Sequence, residues 1–197
     1  MIIYNNGGSM RIISGIRKGK KLKSPKNMDQ RPTLDRVKES VFNIIKGEIQ
    51  EKTVLDLFAG SGNIGIEFIS RGAKMVYFID NDQEAYNLIN YNLKDARLED
   101  FAKVIKLDSM KFLKSSNKSF DLIYIDPPYN KKYLYEKTLK IISMNKLLKA
   151  NGKIILEKQN GVKIKNEDLF NIIDSRKYGD TIILFLEEKQ SESDLSG

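Results

Sequence analysis

The spacing of apolar residues changes along the chain, and the changes mark out its elements. Leu34, Val37, Val41, Ile44 and Ile45 recur at helical intervals. They predict an amphipathic helix opening at Pro32-Thr33, with Thr33 as its cap and Asp35 at the positive end of the dipole. After Gly47, short apolar runs alternate with helical periods. Thr53–Leu57, Met75–Ile79, Val104–Leu107 and Leu122–Ile125 predict buried strands. Between them lie a helix closing at the glycine cap Gly72, a second over Glu84–Leu93 with Ala85, Leu88, Ile89 and Leu93 on one face, and a short one through Phe112. A further helix covers Leu134–Met144, and Gly152 precedes a fifth strand at Lys153–Glu157. Two strands then follow directly, Ile172–Tyr178 and Thr181–Glu187, joined at Gly179-Asp180 as an antiparallel hairpin. The expected fold is α/β, a mostly parallel seven-stranded sheet ending in that hairpin.

Ahead of the first helix, Arg11-Ile12-Ile13-Ser14-Gly15 and Lys20-Lys21-Leu22-Lys23 flank a Gly-containing basic turn and predict a small hairpin. This divides the chain into an extension (1–9), a basic hairpin and helix (10–47), a main domain (48–188) and a polar tail (189–197). The extension and tail are expected to be disordered. The boundary falls near Lys46–Lys52, and no long linker separates two large domains.

Composition narrows the chemistry. The chain has 197 residues, 41% hydrophobic and 30% charged, which suits one soluble domain with a short appendage. No apolar run approaches the ~18 residues of a membrane span. Met1–Ser9 has neither a basic start nor an apolar core, so it does not read as a secretory signal, and Met10 is an alternative start. There is no cysteine and no histidine, which excludes disulfides, a histidine-based triad and the usual zinc or iron ligand sets; no metal is expected. A reducing cytoplasm and a monomer fit this composition.

The net charge of +8 is concentrated. From Arg11 to Arg36, nine Lys or Arg face Asp29 and Asp35, a balance of +7. Such an arm is a footprint for phosphate, with Arg11, Arg17, Lys18, Lys20, Arg31 and Arg36 as candidate RNA contacts; a merely solvated leader is the structural alternative.

Asp56, Asp80, Asp108 and Asp126 each lie at or near the end of a predicted strand. In open α/β sheets the ligand crevice lies outside those ends. Gly60-x-Gly62-x-x-Gly65 follows the first strand, with Asp80 about 20 residues on, formally a dinucleotide fingerprint, so a nicotinamide or flavin cofactor is one candidate. Glycines there imply close backbone approach to a ligand, and the acid implies a ribose diol. Asp56 shifts the choice toward S-adenosylmethionine, because a carboxylate before the loop suits an ammonium and repels a pyrophosphate. Asp108-Ser109 offers an acceptor and a backbone donor for an adenine edge. Each aspartate could instead cap the turn or helix after it. Asp126-Pro127-Pro128-Tyr129 is stiff because two prolines fix φ, and it presents a carboxylate, a carbonyl and an aromatic face to a planar amine. An ordinary strand-ending Asp-Pro turn is the alternative.

These residues also carry a family resemblance. Asp56 to Gly65 resembles the cofactor loop of Rossmann-like class I methyltransferases, and Asp126 to Tyr129 resembles the signature of enzymes that methylate exocyclic amines of nucleobases. Together with Ser14-Gly15, Arg31-Pro32-Thr33-x-Asp35-Arg36-Val37-Lys38-Glu39 and Phe42-Asn43, the chain is similar, from about Met10 to Glu188, to the RsmD-type 16S ribosomal RNA guanine-N2 methyltransferases. Met1–Ser9 lies outside that pattern, and Asn63 stands where a smaller apolar residue is expected. The resemblance implies S-adenosylmethionine held by Asp56, Phe58, Gly60, Gly62, Asp80, Asn81, Asp108 and Ser109. It implies catalysis by Asp126, Pro127, Pro128 and Tyr129, with ribosomal RNA in a small-subunit particle as partner. DNA or RNA adenine-N6 methylation uses the same two motifs. A non-catalytic RNA-binding module is a rival from another class.

Overall fold

A computed structural model describes residues 10–25, 32–128, 131–164 and 169–189. The expectations for 1–9, Arg31, Tyr129 and 190–197, and the caps read at Thr33 and Asp35, lie outside the described residues and side chains. The strands form one seven-stranded sheet in the order β3-β2-β1-β4-β5-β7-β6, as the α/β expectation requires. The chain divides into two compact units, 1–112 and 113–197.

In the first unit, β1 (Thr53–Leu57), β2 (Met75–Asp80) and β3 (Ala102–Lys106) are parallel, with Val54 beside Val76 and Val76 beside Ala102. Val54, Leu55, Leu57, Val76, Phe78 and Ile79 have no exposed surface, as expected of parallel strands covered on both faces. Helices α1 (Pro32–Ile44), α2 (Asn63–Ser70), α3 (Gln83–Ala96) and α4 (Ser109–Ser115, running into the second unit) connect or precede them. Two boundaries move. The third strand starts earlier, at Ala102, and ends before Leu107, whose N–H bonds Asp80 O at 2.9 Å. The second helix runs on to Ala96 because Arg97, in the left-handed region (φ 55°), closes it by donating its N–H to Leu93 O or Lys94 O.

The basic hairpin docks on α2. Its two arms meet at a single antiparallel bridge, Arg11 to Lys21. Gly15 (φ +86°) is obligatory, since a Cβ there would lie 1.7 Å from Ser70 O. Ser70 fastens the turn: its carbonyl accepts Ile16 N–H at 2.8 Å, and its Oγ donates to Ser14 O at 2.6 Å. Glu67, fully buried in an otherwise apolar helix, accepts Ile13 N–H at 2.8 Å and Ser14 N–H at 3.0 Å. The same carboxylate pairs with Lys38 of α1 at 3.0 Å and Arg71 at 2.7 Å. Hairpin, α1 and α2 are thus pinned by one acid.

In the second unit, β4 (Phe120–Ile125) and β5 (Leu148–Gln159) are parallel, while β7 (Thr181–Glu188) runs antiparallel to both β5 and β6 (Phe170–Tyr178); α5 spans Tyr133–Met144. The expected hairpin is present, turning at Gly179 (φ +59°). The fifth strand differs from expectation by starting at Leu148. Phe120 pairs with Leu148 but Leu122 with Lys153, so Gly152 sits inside a bulge. A Cβ there would come within 2.8 Å of Lys149 O and 3.0 Å of Asp121 O. A glycine that reads as a strand boundary is here a strand-interior close approach.

Replacing Glu67 by Ala strips Lys38, only 2% exposed, of its carboxylate and leaves two backbone donors unmet. Urea unfolding should show a loss of about 3–5 kcal/mol. A loss below about 1 kcal/mol would mean that the hairpin is held by something else.

Candidate active site

Within the first unit, the glycine loop is shaped by backbone bonds to β2. Phe58 and Ala59 N–H donate to Ile79 O at 3.1 and 3.0 Å, and Gly62 N–H to Ala59 O at 2.8 Å. This bends the loop through left-handed conformations at Phe58 (φ +71°), Gly60 (φ +54°) and Gly62 (φ +77°). Phe58 is not a glycine, so it carries strain of the kind found at ligand clamps. A Cβ on Gly60 would meet nothing within 4 Å, leaving the backbone there open to a ligand. Gly65 has a different reason. A Cβ on it would lie 2.2 Å from the Phe78 ring and 2.9 Å from Asp56 Oδ2, so here the missing side chain makes room for packing rather than for a ligand.

Asp56 is 2% exposed and accepts one hydrogen bond, from Gly65 N–H at 2.9 Å. Burial, reinforced by the nearby charge of Asp80 and only partly offset by Gly65, pushes its carboxyl up to about 7. A buried acid with one donor and no paired cation among the described residues suits a cationic ligand group. Asp80 is half-buried and organises the loop: Oδ2 accepts Gly60 N–H at 2.8 Å and Oδ1 accepts Asp82 N–H at 3.0 Å. Asp82, not Asp80, caps α3, through Ala85 N–H at 2.9 Å. Asn81 is exposed beside it.

Asp108 is exposed and Ser109 buried. Asp108 Oδ1 caps α4 by accepting Lys111 N–H at 3.0 Å, so the capping alternative holds for this residue. Asn63 accepts a hydrogen bond from Lys38 Nζ at 2.7 Å, and Lys38 also donates to Arg11 O at 2.9 Å. The polar residue in an apolar loop position is therefore a tether to the hairpin. Asn92, fully buried, adds a second tether: its Nδ2 donates to Ser61 O at 3.1 Å and Lys23 O at 3.0 Å, and its Oδ1 accepts Lys23 N–H at 2.8 Å. Sequence reasoning passed over Lys38, Glu67 and Asn92. The available signal was a polar residue on a helix face that is otherwise apolar.

Among the arm residues, Arg11, Lys18 and Arg36 are exposed. Lys20 forms an ion pair with Asp95 at 3.0 Å, and Arg17 Nη2 lies 3.4 Å from Arg97 O.

In the second unit, β4 ends at Ile125 and delivers Asp126, half-buried, Pro127, buried, and Pro128, exposed. The Pro128 carbonyl accepts Lys131 N–H at 2.9 Å. The Pro127 carbonyl takes no hydrogen bond among the described residues. The turn places Asp126 and that carbonyl together directly after β4.

Residues 10–187 match the family model described as "Conserved hypothetical protein 95". The ribosomal RNA small subunit methyltransferase D of Haemophilus influenzae is 38% identical over 78% of this chain and 80% of its own length. The chain belongs to that family. The Escherichia coli ribosomal RNA small subunit methyltransferase D is 32% identical over 79% of this chain and 78% of its own. The solved structure of yhhF from Escherichia coli, 29% identical, superposes with a TM-score of 0.82 over 93% of this chain and 100% of that one. Motif resemblance and family membership agree.

The raised carboxyl of Asp56 has a testable sign. Between about pH 4 and 7 the folded ligand-free protein holds a proton there that the unfolded chain has released, so stability falls as pH rises across that window, by about 4 kcal/mol for a shift from 3.8 to about 7. Asp56→Asn removes this contribution. The stability of the variant minus that of the wild type should climb from pH 4 to 7 and then level off in urea titrations; a flat difference would mean that Asp56 ionises normally.

Proposed function

We propose that this chain transfers a methyl group from S-adenosylmethionine to the exocyclic N2 amine of a guanine in small-subunit ribosomal RNA, in the cytoplasm. The observation that carries the reading is the Asp126-Pro127-Pro128 turn at the end of a buried strand, with Asp126 half-buried and the Pro127 carbonyl taking no hydrogen bond among the described residues. Family membership supports RNA as substrate. No helix among the described residues is long and apolar enough to cross a membrane.

The residues of the first unit fit the cofactor. Asp56 would take its ammonium, the backbone of Gly60 and Gly62 would let it approach closely, and Asp80 would accept its ribose hydroxyls on lone pairs left beside Gly60 N–H and Asp82 N–H. Phe58 and Asn81 would flank it, and the Asp108 carboxylate with Ser109 N–H would meet the adenine edge. When bound, S-adenosylmethionine supplies a sulfonium methyl. Because a cation favours the ionised form of Asp56, affinity should weaken below about pH 7.

Guanine N2 is a poor nucleophile because its lone pair is delocalised into the ring. Asp126 Oδ and the Pro127 carbonyl would accept its two N–H bonds, which orients the lone pair and offsets the positive charge that develops as nitrogen is alkylated. Pro128 keeps both acceptors fixed, so little reorganisation is needed during reaction. Tyr129, next in sequence, would stack on the extruded base, worth ~1–3 kcal/mol in single-stranded recognition. Arg11, Arg17, Lys18, Lys20, Arg31 and Arg36 would hold phosphates of the RNA, presented in a small-subunit particle.

Asp126→Ala separates these roles. Calorimetry should find S-adenosylmethionine bound within about twofold of wild type, while methyl transfer to small-subunit particles drops by about 10²-fold or more. Near-normal turnover would remove Asp126 from the chemistry.

A further inference from the structure

The basic hairpin does not end the positive surface of the first unit. Beside it, at the C-terminal end of α3, lies an open groove of about 650 Å³ lined by Arg17, Lys20, Tyr91, Lys94, Asp95 and Arg97, among others. Four of these residues, Tyr91, Lys94, Asp95 and Arg97, were not singled out by charge clustering in the sequence, because they belong to the end of a helix and its cap, some 75–80 positions from the arm. Folding brings both sets together.

The groove gathers cations around a buried donor. Arg17 Nε is buried and has no hydrogen-bond partner among the described residues. Buried donors are almost always satisfied, so an orphan at the wall of a polar groove points to a group that is supplied from outside. Lys94 and Arg97 are exposed, and neither side chain makes an ion pair among the described residues. The carbonyls of Leu93 and Lys94 already receive the N–H groups of Arg97 and Leu98, so the two cations are not needed to finish the helix. The single acid, Asp95, pairs with Lys20 at 3.0 Å, but the two are 37% and 42% exposed, and such pairs are weak enough to exchange for a better partner. Arg97 is held in the left-handed region (φ 55°, ψ 54°), where glycine would be easier.

We propose that this groove binds the RNA backbone, with a phosphate between Arg17 and Arg97 and with Lys20 and Lys94 as further cationic contacts. The interface thereby runs from the hairpin onto α3. Asp95 acts as a placeholder that keeps Lys20 oriented until phosphate displaces it. The inference rests on the RNA reading above and adds residues to it.

Arg97→Gly is an informative variant, because glycine accepts the left-handed conformation and the fold should be kept or slightly stabilised. The binding of small-subunit ribosomal RNA transcribed in vitro is measured against salt for wild type, Arg97→Gly, Lys94→Gln and Asp95→Asn, with thermal unfolding alongside. Arg97→Gly should weaken binding about tenfold and flatten the slope of log K against log salt by about one phosphate contact, with an undiminished Tm. Lys94→Gln should act in the same direction and less strongly. Asp95→Asn should tighten binding about threefold and steepen the slope, since it releases Lys20 and removes a repulsive charge. If wild type binds with a normal salt slope and all three variants match it, the groove is not a phosphate site and the RNA reading stands. If wild type shows no salt-dependent RNA binding, the RNA reading fails and takes the groove with it.

Discussion

The first unit depends on one buried carboxylate. Glu67 has no exposed surface, yet it receives two hairpin N–H groups and two cations, Lys38 and Arg71. Removing either partner of a buried pair is far more costly than the pair is worth against an apolar isostere, so its value lies in what it fixes. It fixes the basic hairpin to the helix that follows the glycine loop. Lys38 extends the connection to Asn63 and Arg11, and Asn92 makes a parallel one between Ser61 and Lys23. The basic hairpin and the glycine loop are in this way joined by one network of buried polar contacts.

Glu67 and Asp56 show how similar burial leads to different roles. Both are acids almost without exposure in the same unit. Glu67 has its counter-charges built in. Asp56 has one backbone donor and a second negative charge nearby, and its carboxyl rises to about 7. Under the proposed function, an ammonium on the ligand would favour the ionised form of Asp56, and part of the binding strength would come from relieving that burial.

The seven strands along the chain and the hairpin at Gly179 were legible because parallel strands buried on both faces leave continuous apolar runs, whereas their order across the sheet was not. The Asp-Pro-Pro turn and the aspartates at the strand ends were legible because chemistry there depends on residues adjacent in sequence. What escaped was whatever depends on distant pairs. Lys38 with Glu67, Asn92 with Lys23 and Arg17 with Arg97 are separated by tens of residues, and each looks like an ordinary polar position in one dimension. Gly65 and Gly152 misled in another way, since a glycine required by packing or by a bulge looks the same as one required by a ligand or a strand boundary. At Asp108 the capping role, one of two alternatives read from the sequence, is present: its Oδ1 caps α4.

The central claim is that the Asp126 turn presents a guanine amine in ribosomal RNA for methylation. Its most direct test is to incubate the protein with S-adenosylmethionine labelled in the methyl group and with small-subunit particles from a strain lacking the gene, digest the RNA to nucleosides and identify the labelled one by mass spectrometry. The account predicts that the label appears in N2-methylguanosine at a single position. Label in N6-methyladenosine, or none in any nucleoside, would contradict it.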